Sequence, residues 1–386
     1  MNIYILGSTG SVGRQTLDVI DASRDQYHVY AFGGGSNIQL LAEQINKYKP
    51  RFATVADEVF ALQLKRLISV DCAILWGADN ESEIASLPEV DTVVVASSSL
   101  HPLPAFYAAC LAGKKIAISN KETIVACGDI ILDAAARHHA TIIPVDSEHN
   151  AIFQCLKGEE HGSISQLLLT ASGGAFRDLD RHELEKVTAE QALAHPNWRM
   201  GAKITIDCAT LVNKGLEIIE AMRLFDMPSE RIGVVVHRES IIHSMVRFTD
   251  GSVKALLAVP DMRLPIQFAL DYPHRRARMV DDLDFSTLSA LHFDMPDTER
   301  FPCLALAIEA AKTGGAAPLV LTSADDVCVQ AFQRNKIGFY GIHYYIASAL
   351  DHFADRRITD LDSVYALDAE IKRYTRQMIY GANSEG

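Results

Sequence analysis

The sequence predicts an α/β protein in three parts: a mainly parallel sheet flanked by helices, then an α+β unit, then a C-terminal helical domain. Three observations carry this. Short apolar runs alternate with amphipathic stretches through the first 145 residues, a later pair of strand patterns meets at a Thr-Asp-Gly-Ser turn, and residues 301–386 have mostly helical spacing. At 386 residues the chain exceeds the size at which one core stops growing, so more than one domain is expected.

In the first part the candidate strands are NIYIL (2–6), HVYAF (28–32), FATVA (52–56), CAIL (72–75), TVVVA (92–96), KIAIS (115–119) and TIIPV (141–145), with amphipathic stretches at 40–48 and 104–111 among them. Apolar runs separated by helices indicate βαβ units and a parallel sheet buried on both faces. Ligands of such sheets sit at the carboxyl ends of the strands. From about 146 to 271 the candidate strands are QLLLTAS (166–172), KITID (203–207), GVVVH (233–237) and SVKALLAV (252–259), with one long helical pattern at about 208–225 and a hairpin turn at 249–252. Residues 272–300, rich in Pro, Arg and Asp, read as a surface linker. Helical spacing follows at 303–312, 323–333, 343–351 and 367–380.

Hydrophobic residues make up 48% and charged residues 22%, an ordinary globular balance. The net charge of −13 and the absence of any Lys/Arg run exclude a general nucleic-acid surface. Seven scattered cysteines without a Cys-x-x-Cys pair indicate free thiols in a reducing compartment. The opening apolar stretch breaks at Gly7, too early for a signal peptide or membrane span, so a cytoplasmic or equivalent location is expected, with no membrane partner.

The turn GSTGSVG (7–13) follows a strand and opens a helix, the setting of a phosphate cradle. Its spacing is G-x-x-G-x-x-G, and a strand-to-helix turn without ligand is the alternative. After the second strand GGGSN (33–37) has no carboxylate, which favours a dinucleotide whose ribose is phosphorylated. In VDSEHN (145–150), Asp146 and Glu148 share a face if the backbone is extended, and converging carboxylates need a cation or proton between them. Oxygen donors suit Mg²⁺ or Mn²⁺. Equally, Asp146 can be a helix cap with Glu148 in the first turn.

Asn213, Lys214 and Glu217 fall on one helical sector among apolar residues, pointing to a polar pocket, with a Lys-Glu surface pair as the alternative. Cys208-Ala209-Thr210, read as that helix's start, would offer N–H groups to an anion. SGG (172–174) can wrap an oxyanion or simply turn. HPNWRMG (195–201) fits a lid that excludes water, or a loop anchored by a buried tryptophan.

Together GSTGSVG, NKE (120–122), VDSEHNAIFQCL, SGGAFRD, HPNWRMGAKITID, NKGLEIIEA, IHSMVRF, PDMRLPIQ and FPCLALA resemble 1-deoxy-D-xylulose 5-phosphate reductoisomerases, in that family's order and over most of the chain. The resemblance implies an NADPH-dependent oxidoreductase of the methylerythritol phosphate route to isoprenoid precursors. It would turn 1-deoxy-D-xylulose 5-phosphate into 2-C-methyl-D-erythritol 4-phosphate with Mg²⁺, Mn²⁺ or Co²⁺, by a retro-aldol and aldol rearrangement followed by hydride reduction of an aldehyde. It also implies a homodimer in a bacterial cytoplasm, or in a plastid stroma if a transit peptide has been removed. The implied domains are a Rossmann-like NADPH-binding domain (1–145), a catalytic and connective domain (146–271) with a lid at about 192–202, the 272–300 linker, and a C-terminal helical bundle (301–386).

Carried over, Asp146, Glu148 and Glu217 become metal ligands, with Lys121 and Ser147 at the substrate backbone or the metal-bound oxygens. Ser172, His195, Asn213 and Lys214 would bind the substrate phosphate, and Cys208 stands where the family usually has a serine donor to it. Trp198 and Met200 would belong to the closing loop, while His149 and His243 match further active-site histidines. Gly7, Thr9, Gly10, Ser11 and Val12 would hold the cofactor phosphates, with Asn37, Asn120, Lys121 and Glu122 along its length and Met200, Gly201 and Met262 toward the nicotinamide. Ser36 replaces a basic residue beside the extra phosphate, Ser97–Ser99 replace a Gly-containing segment, and residues 322–326 replace an Asn-rich motif. Cys208 and the altered loop at Ser97–Ser99 suggest one alternative, a paralogue acting on a related phosphorylated or phosphonate substrate; a second, of a different class, is a non-catalytic NADPH- or metabolite-binding paralogue.

Overall fold

The computed structural model describes residues 1–194, 197–198, 200–353 and 355–381. They form two compact units: Met1–Thr123 with Ile130–Phe153 and Asp261–Asp281, and Ile124–Asp129 with Gln154–Pro260 and Asp282–Gly386.

The first unit is built on seven parallel strands: β1 (Asn2–Leu6), β2 (His28–Gly33), β3 (Phe52–Val55), β4 (Ala73–Trp76), β5 (Thr92–Val95), β6 (Lys115–Ile118) and β7 (Thr141–Pro144). Their order is β4-β3-β2-β1-β5-β6-β7. Each matches an apolar run of the sequence to within a residue at either end. Six helices alternate with them: α1 (Ser11–Ala22), α2 (Ile38–Tyr48), α3 (Glu58–Lys65), α4 (Ala78–Ser86), α5 (Leu103–Leu111) and α6 (Lys121–Arg137); α7 (Ser147–Cys155) follows the last strand. The strand order reverses between β1 and β5, where a doubly wound sheet opens a crevice at its carboxyl edge. This is a Rossmann-like sheet.

In the second unit, β8 (Ile164–Ala171) leads through the single-turn helices α8 (Arg181–Leu184) and α9 (Ala189–Ala192) to α10 (Ala202–Thr210) and α11 (Val212–Leu224). Strands β9 (Ile232–Val236), β10 (Ile242–Phe248) and β11 (Val253–Leu257) complete a mixed sheet of order β11-β10-β8-β9. The β10–β11 turn closes as a hairpin, Phe248 N–H donating to Ser252 O at 2.9 Å. Helix α12 (Arg263–Asp271) belongs to the first unit, where Ile266, Phe268 and Leu270 join the core of Leu17, Ile20 and Phe32. Helices α13 (Pro302–Thr313), α14 (Ala317–Gln333), α15 (Phe339–Phe353) and α16 (Leu361–Tyr380) form the helical region.

Two expectations fail here. KITID, expected as a strand, is the body of α10: Lys203 and Asp207 pair across one helical turn at 2.7 Å, and Thr205 bonds back to Gly201 O at 2.8 Å. Its alternation of polar and apolar residues misled because the polar ones find partners within the fold, Thr205 and Asp207 buried and Lys203 half-buried. The pattern at 208–225 is two helices, since Leu211 adopts a left-handed conformation with φ 62°. Cys208–Thr210 therefore close α10, and their N–H groups are taken by its backbone ladder rather than offered to an anion. Among the described residues no helix is long and apolar enough to cross a membrane.

Candidate functional site

Within the first unit the GSTGSVG turn lies at the β1/β5 reversal. Gly7 has φ +84°, and a Cβ on it would stand 2.6 Å from Ser97 N; on Gly13 it would stand 2.3 Å from Gly7 O. Only glycine permits this double approach, which packs the start of α1 against the strand ends. Gly10 caps α1 without a side-chain hydrogen bond, and no acid occupies the first turn, so Ser11 and Val12 present backbone N–H groups and an uncompensated positive dipole end. Thr9 is half-buried beside them. Ser97 Oγ is buried without a hydrogen-bond partner among the described residues. The glycine cradle, open helix end and orphan hydroxyl fit a dinucleotide pyrophosphate.

Other residues expected along the cofactor have work of their own. Ser36 and Asn37 are exposed; Asn37 caps α2, accepting from Leu40 N–H at 3.2 Å. Asn120 caps α6 by accepting from Thr123 N–H at 2.9 Å, and its Nδ2 donates to Ser97 O and Ser99 O at 2.8 Å each. It thereby holds the loop after β5, where Ser99 is left-handed with φ 56°. Glu122 lies in the first turn of α6, and Met262 immediately precedes α12.

Beyond β7, Asp146 takes the capping position: its Oδ1 accepts from Glu148 N–H at 3.2 Å. Glu148 is consequently helical, so no extended segment aligns it with Asp146. Lys121 Nζ sits 2.7 Å from Asp146 Oδ2, and His149 Nδ1 lies 3.2 Å from Oδ1. Burial opposes ionisation of Asp146, but the Lys121 charge and His149 outweigh it and hold the carboxyl well below the usual carboxylate range. Ser147 Oγ donates to Glu148 Oε2 at 2.7 Å. The helix cap is therefore also the carboxylate that holds the Lys121 ammonium.

The second unit carries the other candidates. Glu217, 1% exposed, accepts from Asn213 Nδ2 at 2.5 Å and pairs with the Lys214 ammonium, which also bonds Thr170 O. Lys214 is itself buried, which rules out the surface-pair alternative. Ser172 follows β8, its Oγ accepting from Gly174 N–H at 3.3 Å, and Arg177 binds Ser172 O at 2.9 Å. Cys208 is half-buried in the last turn of α10, and Gly201 caps that helix. Trp198, half-buried as is Met200, meets the ring of buried His243 edge-on at 6.1 Å. His195 lies outside the described residues. Sequence reasoning gave no role of its own to Asn197, although it lies within HPNWRMG, and passed over Arg238 and Ser240, which no local pattern marks.

Three family models match: 1-deoxy-D-xylulose 5-phosphate reductoisomerase over residues 3–128, its C-terminal domain over 142–225, and the DXP reductoisomerase C-terminal domain over 257–374. The 1-deoxy-D-xylulose 5-phosphate reductoisomerase of Heliobacterium modesticaldum is 47% identical, covering 98% of this chain and 97% of its own. That of Pelotomaculum thermopropionicum is 46% identical with the same coverage. Among solved structures, a DOX-P reductoisomerase in complex with NADPH, fosmidomycin and magnesium superposes with TM-score 0.95 at 37% identity, over 98% of both chains. The Zymomonas mobilis enzyme in complex with NADPH gives 0.92 at 39%, over 98% of this chain and 99% of that one. With family models spanning nearly all of its length and relatives this similar end to end, the chain belongs to the 1-deoxy-D-xylulose 5-phosphate reductoisomerase family.

Proposed function

We propose that the chain catalyses the NADPH- and divalent-metal-dependent isomerisation and reduction of 1-deoxy-D-xylulose 5-phosphate to 2-C-methyl-D-erythritol 4-phosphate. The observation that carries this is the end-to-end similarity to relatives bearing that one activity name, at 46–47% identity. The related-substrate and binding-only alternatives are not favoured.

Asp146, Glu148 and Glu217 are the proposed metal ligands, an all-oxygen set suited to a hard cation such as Mg²⁺ or Mn²⁺. The ion supplies a positive charge where negative charge develops on substrate oxygens. Lys121 pairs with Asp146 and Lys214 with Glu217, so these ammonium groups now stand where a bound cation would sit. Lys121 would meet substrate at its backbone oxygens with Ser147, and Lys214 at its phosphate with Ser172, His195, Asn213 and Cys208. His149 and His243 flank these groups. Gly7, Thr9, Gly10, Ser11 and Val12 would hold the NADPH phosphates, with Asn37, Asn120 and Glu122 along its length and Met200, Gly201 and Met262 toward its nicotinamide. Ser36 would stand beside its ribose phosphate, leaving discrimination against NAD to the absence of a carboxylate. The segment at 192–202 is the lid, with Trp198 excluding water, and two copies of the chain assemble as a dimer in the cytoplasm.

The test is turnover: the purified chain, 1-deoxy-D-xylulose 5-phosphate, NADPH and Mg²⁺ or Mn²⁺, followed by NADPH absorbance. Absence of turnover with every metal sinks the proposal. Glu217→Gln should abolish metal-dependent turnover while NADPH still binds; full activity contradicts the assigned ligand.

A further inference from the structure

The turn between β9 and β10 is fastened from several sides. His237, 1% exposed, has Nδ1 2.9 Å from His292 O, while its Nε2 accepts from Ile241 N–H at 3.2 Å. The Arg238 guanidinium bridges Asp178 at 2.8 Å and Asp294 at 3.3 Å. Glu239 bonds His292 Nδ1 at 2.5 Å. Ser240 is left-handed, with φ 53°, and 8% exposed. A non-glycine residue persists there only because its surroundings over-determine it. Onto this turn Asn197 places its amide: Nδ2 donates to Arg238 O and to Ser240 Oγ, each at 2.7 Å. Trp198 is the next residue. Asp178, at the other end of the Arg238 bridge, closes the segment that begins at Ser172, whose carbonyl Arg177 holds at 2.9 Å.

We propose that Asn197 is a positioning residue for Trp198, latching the lid onto the 237–240 turn, and that Arg238, through Asp178, couples that latch to the phosphate-binding segment at 172–178. The inference rests on the proposed function, in which that segment holds the substrate phosphate and the lid closes over it. Phosphate binding then favours the latched lid, so binding energy from a non-reacting group is used to exclude water at the reacting one.

The experiment uses the full chain with Trp76→Phe, leaving Trp198 as the one tryptophan reporter. Acrylamide quenching of Trp198 is measured with and without inorganic phosphate, and kcat and KM are measured for 1-deoxy-D-xylulose 5-phosphate. Phosphate should protect Trp198 in the parent and fail to do so in Asn197→Ala and Arg238→Gln, with protection restored in Arg238→Lys. Loss of these hydrogen bonds should lower kcat/KM about 2- to 12-fold in Asn197→Ala. Adding Ser240→Ala to Asn197→Ala should cost little more, because the shared bond is already gone. Equal protection by phosphate in parent and variants, or additive losses for the two substitutions, overturns the latch. Should the parent turn substrate over while the variants behave identically, the latch fails and the proposed function stands. Should the parent not turn over, the proposed function fails, and the quenching comparison still decides the latch.

Discussion

Lys121 Nζ lies 2.7 Å from Asp146 Oδ2, with both side chains under 10% exposed. A buried carboxylate stripped of its cation is among the costliest single changes a fold can suffer. Lys121→Met should therefore lower stability by about 3–5 kcal/mol, measured by urea denaturation. If Asp146 is a metal ligand, Mg²⁺ should raise the variant's melting temperature more than the parent's, because the ion substitutes for the missing ammonium. Equal Mg²⁺ responses would separate Asp146 from the metal.

Gly13→Ala drives a methyl group to 2.3 Å from Gly7 O, a backbone atom with no rotamer to escape into. The start of α1 must move off the β1 turn. A stability loss of about 1–3 kcal/mol is expected, together with weaker NADPH binding in a fluorescence titration. Unchanged affinity would remove this turn from the cofactor site.

Lys115 reaches the last carbonyls of α12, donating to Leu270 O at 2.6 Å and Tyr272 O at 3.0 Å. Burial pulls its pKa down from 10.5 to about 8, with the Asp271 charge opposing. Between these values the unfolded chain binds more protons than the folded one, so this group's contribution to stability rises with pH across about 8 to 10.5. Chemical denaturation should show the parent gaining on Lys115→Met through that window. A gap that shrinks as pH rises contradicts the burial.

Cys208 is half-buried in the last turn of α10, at the position assigned to the substrate phosphate. A thiol is a poor hydrogen-bond donor compared with a hydroxyl. Cys208→Ser should leave KM for 1-deoxy-D-xylulose 5-phosphate equal or lower, with kcat little changed. A large rise in KM would give the thiol a role of its own.

The parallel sheet was readable because a strand buried on both faces writes itself as a continuous apolar run, as TVVV does in β5. KITID was misread because helix and strand periodicities coincide over five residues, and what separates them is where Lys203 and Asp207 find each other. The Asn213, Lys214 and Glu217 grouping was legible, being local to one helix. The break at Leu211 was not: a leucine at positive φ has no sequence signature, and it depends on packing around both helices. The partnership of Asn197 with Arg238 and Ser240 escaped for a related reason, since it joins positions some 40 residues apart through a backbone carbonyl and a turn conformation.

The first unit's core includes Ile266, Phe268, Ala269 and Leu270 from α12, more than a hundred residues beyond β7. A ribosome delivers all seven strands of the sheet well before that helix emerges. During this interval the apolar side of α1 that α12 covers has no partner, and the nascent sheet waits incomplete while residues 154–260, which carry the mixed sheet, are translated. A fragment ending near residue 150 should accordingly aggregate, and supplying residues 261–281 as a separate peptide should rescue its solubility.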